Sequence, residues 1–554
     1  MVDNSTILEF EFNRAEQRRV KPAWLNLLVK LSAFIMLVVL TSYQLPNSAN
    51  EKKVSYRFID LQYEILTAVY SNADSSLISS PLVQRQVQQF YTQQEFASAW
   101  TDAFGANGQL TELISLLDSA TYLGFPVDYF STSNLKVLIS QLATTGSLAA
   151  RVNLELQATA AALRLMLYLN RGVNAESFLT DSVVASMGVS YLLANALEAD
   201  SLKPMVLALQ PKLEKYNRII ASLPNFIDMH LSVKHTTPKF IDDNMLAKAF
   251  YTAGLSDFTY IDSSQNSKQL IARVQSKLGL TVDSTLNAQT HEVLVSMLQY
   301  RYFQACLNIN RLRQMNGLEG SFLFVNIPEF KLHVIDSMKE LETFRVIVGK
   351  AETPTPVFSG KIDRVVTNPY WTVPKSIVAK MLHKIRSDST YLTRNGYYVI
   401  NSFEQKVDSK EIDWSNPDPL GNRYALRQRN STSNALGLIK FLFPNDYSVY
   451  IHDTPSRNLF NHEVRTFSHG CIRLENPDKL AQFITDRFVK DELNIQQLIS
   501  TRSTTDIELS NQLDVHIQYI TCTAAEDRNM QFFADIYNRD KQEIMATFPG
   551  LLEI

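Results

Sequence analysis

The stretch YIHDTPSRNLFNHEVRTFSHGCIRLEN, Tyr450 to Asn476, holds a single cysteine, Cys471, inside the block Ser468-His469-Gly470-Cys471-Ile472-Arg473. His452 stands 19 residues upstream and closes a β-like run from Tyr447 to Ile451. A free thiol ionises near pH 8.5 and is mostly protonated at neutral pH. An imidazole within hydrogen-bond reach can take that proton and make the sulfur a working nucleophile. A strand ending in histidine, a loop and a Gly-Cys turn would bring the two groups together. Gly470 permits backbone angles closed to other residues, so the N–H groups of Gly470 and Cys471 could face a developing oxyanion. The competing reading is a buried, inert cysteine with unrelated histidines nearby, the usual fate of a free Cys.

The block carries more than a thiol. A histidine followed, after a variable loop, by Ser/Thr-His-Gly-Cys and an apolar residue resembles the L,D-transpeptidase catalytic signature, here His452 … Ser468-His469-Gly470-Cys471-Ile472-Arg473. Arg473 stands where that family often has asparagine, although Cys-Ile-Arg also occurs in it. The resemblance implies an enzyme without cofactor or metal, a cysteine acyltransferase acting on peptidoglycan stem peptides. Cys471 would be the nucleophile and His452 the base, with Ser468, His469, Gly470 and Arg473 around the oxyanion and substrate. Cys471 would attack the carbonyl at the L-centre of the diamino acid, terminal D-Ala would leave, and a thioester would remain. Attack by a neighbouring diamino acid would give a 3→3 cross-link, water would give L,D-carboxypeptidase activity, and carbapenem-type inhibitors would acylate the same thiol. The planar fork of Arg473 suits a stem carboxylate, with a structural pair to Glu475 or Asp453 as the alternative. Asp453 follows His452 directly, so on a strand its side chain points the other way, leaving a backbone carbonyl to orient the imidazole.

Other chemistries fit less well. A zinc site from His452, His462, His469 and Cys471 lacks His-Glu-x-x-His or paired Cys-x-x-Cys spacing. Sortase-type transpeptidation uses Cys, His and Arg but not this block, and a papain-like protease needs different surroundings for its Cys. A catalytically silent peptidoglycan-binding wall protein, or transfer of stem peptides onto a lipoprotein, are the remaining alternatives.

The 554 residues are too many for one core. A net charge of −3 gives no electrostatic reason to expect nucleic acid. Three cysteines, Cys306, Cys471 and Cys522, exclude a disulfide scaffold and leave one Cys306–Cys522 bridge open. Arg14, Arg18, Arg19 and Lys21 precede an apolar run from Trp24 to Tyr43. That pattern predicts an inner-membrane anchor with the basic side cytoplasmic, or a cleaved signal peptide, and so a periplasmic remainder.

The expected fold is multidomain α+β. Residues 1–50 form the tail and anchor. Residues 51–236 read as a helical N-terminal scaffold, with Leu156, Ala160, Leu163 and Leu167 at helical spacing. Residues 237–315 form a small helical module. Gln275-Ser-Lys-Leu-Gly-Leu280 and the Thr290 helix start resemble a peptidoglycan-binding domain, although Ser284 and Asn287 replace its usual glycines. Residues 316–500 read as the mainly-β catalytic domain, with strands at Phe322–Ile327, Phe330–Ile335, Phe344–Val348 and Ile362–Thr367. Within it, residues 375–428 form an insertion resembling a capping subdomain, polar and loop-rich as a moving lid would be. Asn476 and Pro477 mark a helix N-terminus, and residues 501–554 form a C-terminal strand extension. The Leu209–Asn217 segment and the words Val-Asn-Ile-Pro, Val-Gly-Lys and Thr-Pro-Val-Phe resemble the large YcbB-type L,D-transpeptidases, whose catalytic domain is YkuD-like.

Overall fold

A computed structural model describes residues 49–70, 80–173, 179–180, 183–184, 187–257 and 266–550. The expected anchor at 24–43 lies outside the described residues. Among the described residues no helix is long and apolar enough to cross a membrane. The chain divides into two compact units, Met1–Thr67 and Ala68–Ile554. Helix α1 spans Ala49–Tyr70.

The N-terminal part of the second unit is helical: α2 (Pro81–Gln93), α3 (Gly108–Asp118), α4 (Thr132–Thr145), α5 (Leu148–Arg171), α6 (Val189–Glu198), α7 (Leu202–Leu207) and α8 (Glu214–His235). Leu156, Ala160, Leu163 and Leu167 are all buried along α5, as their spacing requires. The fully buried Glu155 of α5 accepts hydrogen bonds from Ala99 N (2.8 Å), Thr101 Oγ1 (2.7 Å) and the Tyr91 hydroxyl (3.0 Å). Burial raises its pKa, and those donors oppose the rise.

Helices α9 (Asp243–Thr252), α10 (Ser267–Lys277) and α11 (Ala288–Arg313) follow. Gln275 organises the turn between α10 and α11. Its side-chain amide donates to Asp283 Oδ1 (2.8 Å), the Thr285 carbonyl (2.9 Å) and Thr290 Oγ1 (3.1 Å), and its oxygen accepts from the N–H groups of Asp283 and Ser284. Ser284 is held there at φ +60°, the left-handed region where glycine is favoured. The Asn287 side chain caps α11 through Thr290 N. At its far end α11 grips the C-terminal segment: Asn308 bonds Thr521, and Arg311 pairs with the buried Asp540 at 2.8 Å.

The remainder is a closed sheet. Its strands are β1 (Ser321–Asn326), β2 (Lys331–Asp336), β3 (Lys339–Gly349), β4 (Phe358–Thr367), β5 (Ile439–Leu442), β6 (Ile451–His452), β7 (Thr466–Ser468), β8 (Ile472–Leu474) and β9 (Thr505–Gln518). Pairing runs β3-β8-β6-β5-β4-β9-β1-β2, and β2 pairs back onto β3 to complete the ring; β7 adds to β3. Alternate residues fill one side: Val346, Ile439, Phe441, Ile451, Ile472 and Leu474 are all buried in one core, joined by Leu480 and Ile484 of helix α12 (Pro477–Phe488).

Three local readings change. The run from Tyr447 to Ile451 is not a strand: Ser448 is left-handed (φ +55°), Asn445 side-chain bonds hold the preceding turn, and only Ile451 and His452 pair. Asn476 does precede α12 but makes no side-chain cap, since it sits at φ +54°. Residues 505–518 are no appendage, because β9 lies between β4 and β1.

The insertion between β4 and β5 is also more ordered than its polar composition suggests. Short strands at Trp371–Thr372, Tyr397–Asn401, Lys406–Val407 and Tyr424–Gln428 form a four-stranded sheet. A helix at Lys375–Ser387 covers it through Val378, Met381, Leu382 and Ile385, giving the insertion its own buried core.

The turn at Ser284 gives a stability prediction. Ser284→Gly relieves the left-handed strain and should stabilise the protein by about 1 kcal/mol. Gln275→Leu leaves the Asp283 and Ser284 N–H groups and Thr290 without their partner and should lower the melting temperature. Calorimetric melting of both variants checks this; a Ser284→Gly variant that melts lower would show that the turn is not strained.

Candidate active site

Cys471 and His452 are brought together by two very short parallel strands. β6 and β8 pair with Ile451 opposite Ile472 and His452 opposite Arg473. Ile451 and Ile472 point into the core, so Tyr450, His452, Cys471 and Arg473 share the other face by alternation. Lys440 of β5 stands opposite His452 on the same face. The Tyr450 and His452 rings lie 5.5 Å apart.

His452 is buried, and its Nδ1 lies 2.5 Å from the Asp453 carbonyl oxygen. A carbonyl can only accept, so Nδ1 carries the proton and Nε2 keeps its lone pair. Burial, reinforced by the Arg473 charge, pushes the His452 pKa down to about 3. Burial pushes the Cys471 thiol up, against the Tyr450 backbone and the Arg473 charge. The resting pair is therefore neutral thiol and neutral imidazole at pH 7. The thiol donates to the Ser448 carbonyl at 3.9 Å rather than to His452. Catalytic hydrogen bonds are often unformed before substrate binds.

The Asp453 carboxylate accepts from Leu438 N and Arg457, both at 2.8 Å. It fits only because Gly437 has no side chain: a Cβ there would fall 2.3 Å from the carboxylate. Asp453 thus braces the chain entering β5 and lies outside the thiol–imidazole pair.

The Ser468 hydroxyl is committed to the turn itself. It donates to the Cys471 carbonyl at 2.6 Å and accepts from Gly470 N at 3.1 Å. Gly470 takes φ +112°, which an L side chain rarely adopts. Its N–H is therefore turned to Ser468, not to an incoming oxygen as the sequence suggested. His469 is exposed overall, and partial desolvation of its ring, with the charges of Lys380, Lys350 and Arg473, holds its pKa down. His462 is exposed on the loop, its ring edge-on to Phe467. Arg473 pairs with neither suggested carboxylate: Glu475 is held bidentately by Arg345 at 2.6 Å, and Asp453 by Arg457. The Arg473 Nε is buried without a partner. Among the described residues no group of three or more His, Cys, Asp or Glu could hold a metal ion.

Several positioning residues carry no local sequence signal. Arg465 is buried and donates to the carbonyls of Val346 (3.1 Å), Phe330 (3.0 Å) and His462 (2.9 Å), pinning the loop between His452 and Cys471 to β3. Thr355 donates to the Gly470 carbonyl at 2.8 Å and accepts from Gly349 N at 2.9 Å. Tyr537, far along the chain, donates to the Gly349 carbonyl at 2.7 Å. Gly349 is required because a Cβ would lie 2.1 Å from the Thr353 carbonyl oxygen.

Two outcomes follow from this geometry. Arg465→Met strands buried carbonyls and should cost about 3 kcal/mol, seen as a lower melting temperature together with slower reaction of Cys471 with thiol reagents. His452 titrates lower folded than unfolded (about 3 against 6.5). Its stabilising contribution is thus complete above about pH 6.5 and is lost as pH falls toward 3. A His452→Gln variant should lose less stability than the parent between pH 6.5 and 4 in chemical denaturation; parallel losses would overturn the assignment.

Residues 320–495 match the family model of the L,D-transpeptidase catalytic domain (YkuD), and residues 85–223 match a scaffold-domain model. A Haemophilus influenzae protein named "Putative L,D-transpeptidase" is 33% identical over 242 residues, which cover 43% of this chain and 48% of that protein. The chain thus spans about half the length of this curated relative. Among solved structures, an L,D-transpeptidase from Mycobacterium smegmatis aligns over 36% of this chain and 58% of its own at 14% identity and TM-score 0.17. L,D-transpeptidase 3 from Mycobacterium tuberculosis, in complex with a faropenem-derived adduct, aligns over 36% and 60% at 14% identity and TM-score 0.18. The segment that holds both Cys471 and His452 lies within the residues that match the L,D-transpeptidase catalytic-domain model.

Proposed function

We propose that the protein is a peptidoglycan L,D-transpeptidase of the large YcbB type that forms 3→3 cross-links through a Cys471 thioester. The observation that carries the reading is the placement of Cys471 and a neutral, buried His452 on one face of the sheet, with Cys471 two residues before Arg473, the register partner of His452. Cys471 passes its proton to His452 Nε2 as sulfur attacks the carbonyl at the L-centre of a stem diamino acid. The Cys471 N–H stabilises the oxyanion. The imidazolium then returns the proton to the departing D-Ala amine. The thioester is then attacked by the side-chain amine of a second stem; His452 takes that proton and the thiol reforms. Ser468 and Gly470 hold the turn, His469 braces its rim, and Arg473 receives a stem carboxylate. Water in place of the amine gives the L,D-carboxypeptidase reaction.

On this reading the catalytic domain works outside the cytoplasm, on a chain held at the inner membrane or released from it. Residues 237–315 serve as a peptidoglycan-binding module and residues 51–236 as its scaffold.

Cys471→Ala should abolish D-Ala release from a tetrapeptide and acylation by a carbapenem, while Cys306→Ala and Cys522→Ala leave both in place. His452→Ala should slow acylation about 10²–10⁴-fold, the span of general-base catalysis, and His462→Ala should be mild. Mass spectrometry of the acylated protein and of muropeptides after incubation checks each; D-Ala release at near wild-type rate by Cys471→Ala would overturn the mechanism.

A further inference from the structure

The peptide joining Gly470 to Cys471 is held by a part of the chain that follows the last strand of the sheet. Its carbonyl accepts the Thr355 hydroxyl at 2.8 Å. A peptide is planar and trans, so fixing that C=O also fixes the Cys471 N–H, which points the opposite way. Thr355 is itself held. Its N–H donates to the Tyr537 hydroxyl (3.2 Å), and that hydroxyl donates to the Gly349 carbonyl (2.7 Å).

From Tyr537 the hydrogen bonds continue, residue by residue, to helix α11. The Tyr537 N–H donates to the Tyr519 hydroxyl (2.9 Å), and the two rings stack at 5.6 Å. The Tyr519 hydroxyl donates to Asp535 Oδ1 (2.6 Å), and the other Asp535 oxygen accepts the Asp540 N–H (2.8 Å). The buried Asp540 carboxylate accepts the Thr521 hydroxyl (2.5 Å) and the Gln304 amide (2.7 Å). The Thr521 hydroxyl in turn accepts the Asn308 amide (2.8 Å), and Gln304 and Asn308 both belong to α11. A hydroxyl has one proton. In Thr355, Tyr537, Tyr519 and Thr521 that proton goes to one neighbour while a lone pair receives another. None of the four can turn away without stranding a partner, and bonds in such a chain strengthen one another.

We propose that Tyr519, Asp535 and Asp540 are positioning residues for Cys471: with Thr355 and Tyr537 they form a strap from α11 that fixes the aim of the Cys471 N–H at the developing oxyanion. The proposal rests on the acyl-transfer reading above for the role of that N–H, and on the bonded chain for the strap itself. The segment after β9 thereby enters the rate of carbonyl attack without touching substrate.

Two reagents separate the aim of the N–H from access to the sulfur. p-Nitrophenyl acetate transfers its acetyl group to the thiol: the S–C bond forms, the ester C–O bond breaks, p-nitrophenolate leaves, and the thiol proton passes through His452 to solvent. That step goes through an oxyanion, whereas iodoacetamide alkylates the same sulfur by displacing iodide without one. The ratio of acetylation to alkylation at Cys471 is read by peptide mass spectrometry on the full-length protein and normalised to N-acetylcysteine. Losing an oxyanion donor outright costs about 10²–10³-fold, so loosening its aim in Tyr537→Phe should lower the ratio about three- to thirtyfold. Asp535→Asn should lower it as well, yet by less than about twofold when added to Tyr537→Phe, because the strap is already cut. Glu155→Gln, which weakens a buried network in the scaffold, should lower the melting temperature and leave the ratio unchanged. A Tyr537→Phe ratio equal to the parent's, losses that multiply independently in the double variant, or an equal fall in Glu155→Gln overturns the strap. D-Ala release from a tetrapeptide, measured in parallel, tests the peptide reading separately: its absence with the ratio effects intact keeps the strap and removes the peptide substrate.

Discussion

The site hangs on one contact between two strands of two and three residues. Ile451 against Ile472 sets the parallel register of β6 and β8 and buries both side chains in the core. Alternation then puts His452 and Cys471 on the opposite face. A slip of one residue would turn the histidine into the core and an isoleucine onto the site. Strands so short cannot hold a register alone. They are fixed from outside, β6 by β5 and β8 by β3, so the catalytic geometry inherits the rigidity of the whole ring.

A parallel pair needs a crossover connection, and here it is the irregular loop from Asp453 to Gly470. Its order comes from buried polar side chains rather than from an apolar core: Arg465 on three carbonyls, Asp453 on Leu438 N and Arg457, Thr355 on the Gly470 carbonyl. Each satisfies backbone groups that burial would otherwise strand. The same burial sets the chemistry. It holds the His452 pKa down and the Cys471 pKa up.

The inserted subdomain adds a second level of organisation. Its separate core makes it a body distinct from the sheet. Packing holds the body together.

The sequence by itself determined the elements with periodic signals and the residues with chemical ones. The helical spacing of Leu156 to Leu167, the four strands from Ser321 to Thr367, and the His452 … Cys471 block were all legible, because period, β-propensity and side-chain chemistry are local properties. What only the tertiary structure decided depends on residues distant in the chain. The place of Thr505–Gln518 inside the sheet comes from pairing with strands about 140 and 190 residues away. The ordered core of a polar-looking insertion, the capture of the Gly470 N–H by Ser468, and the service of Arg465, Thr355 and Tyr537 are likewise settled by neighbours. So is the freedom of Arg473, whose candidate partners were claimed by Arg345 and Arg457. Which donor meets which acceptor is a competition among all groups brought to one place, and a linear sequence does not rank the competitors.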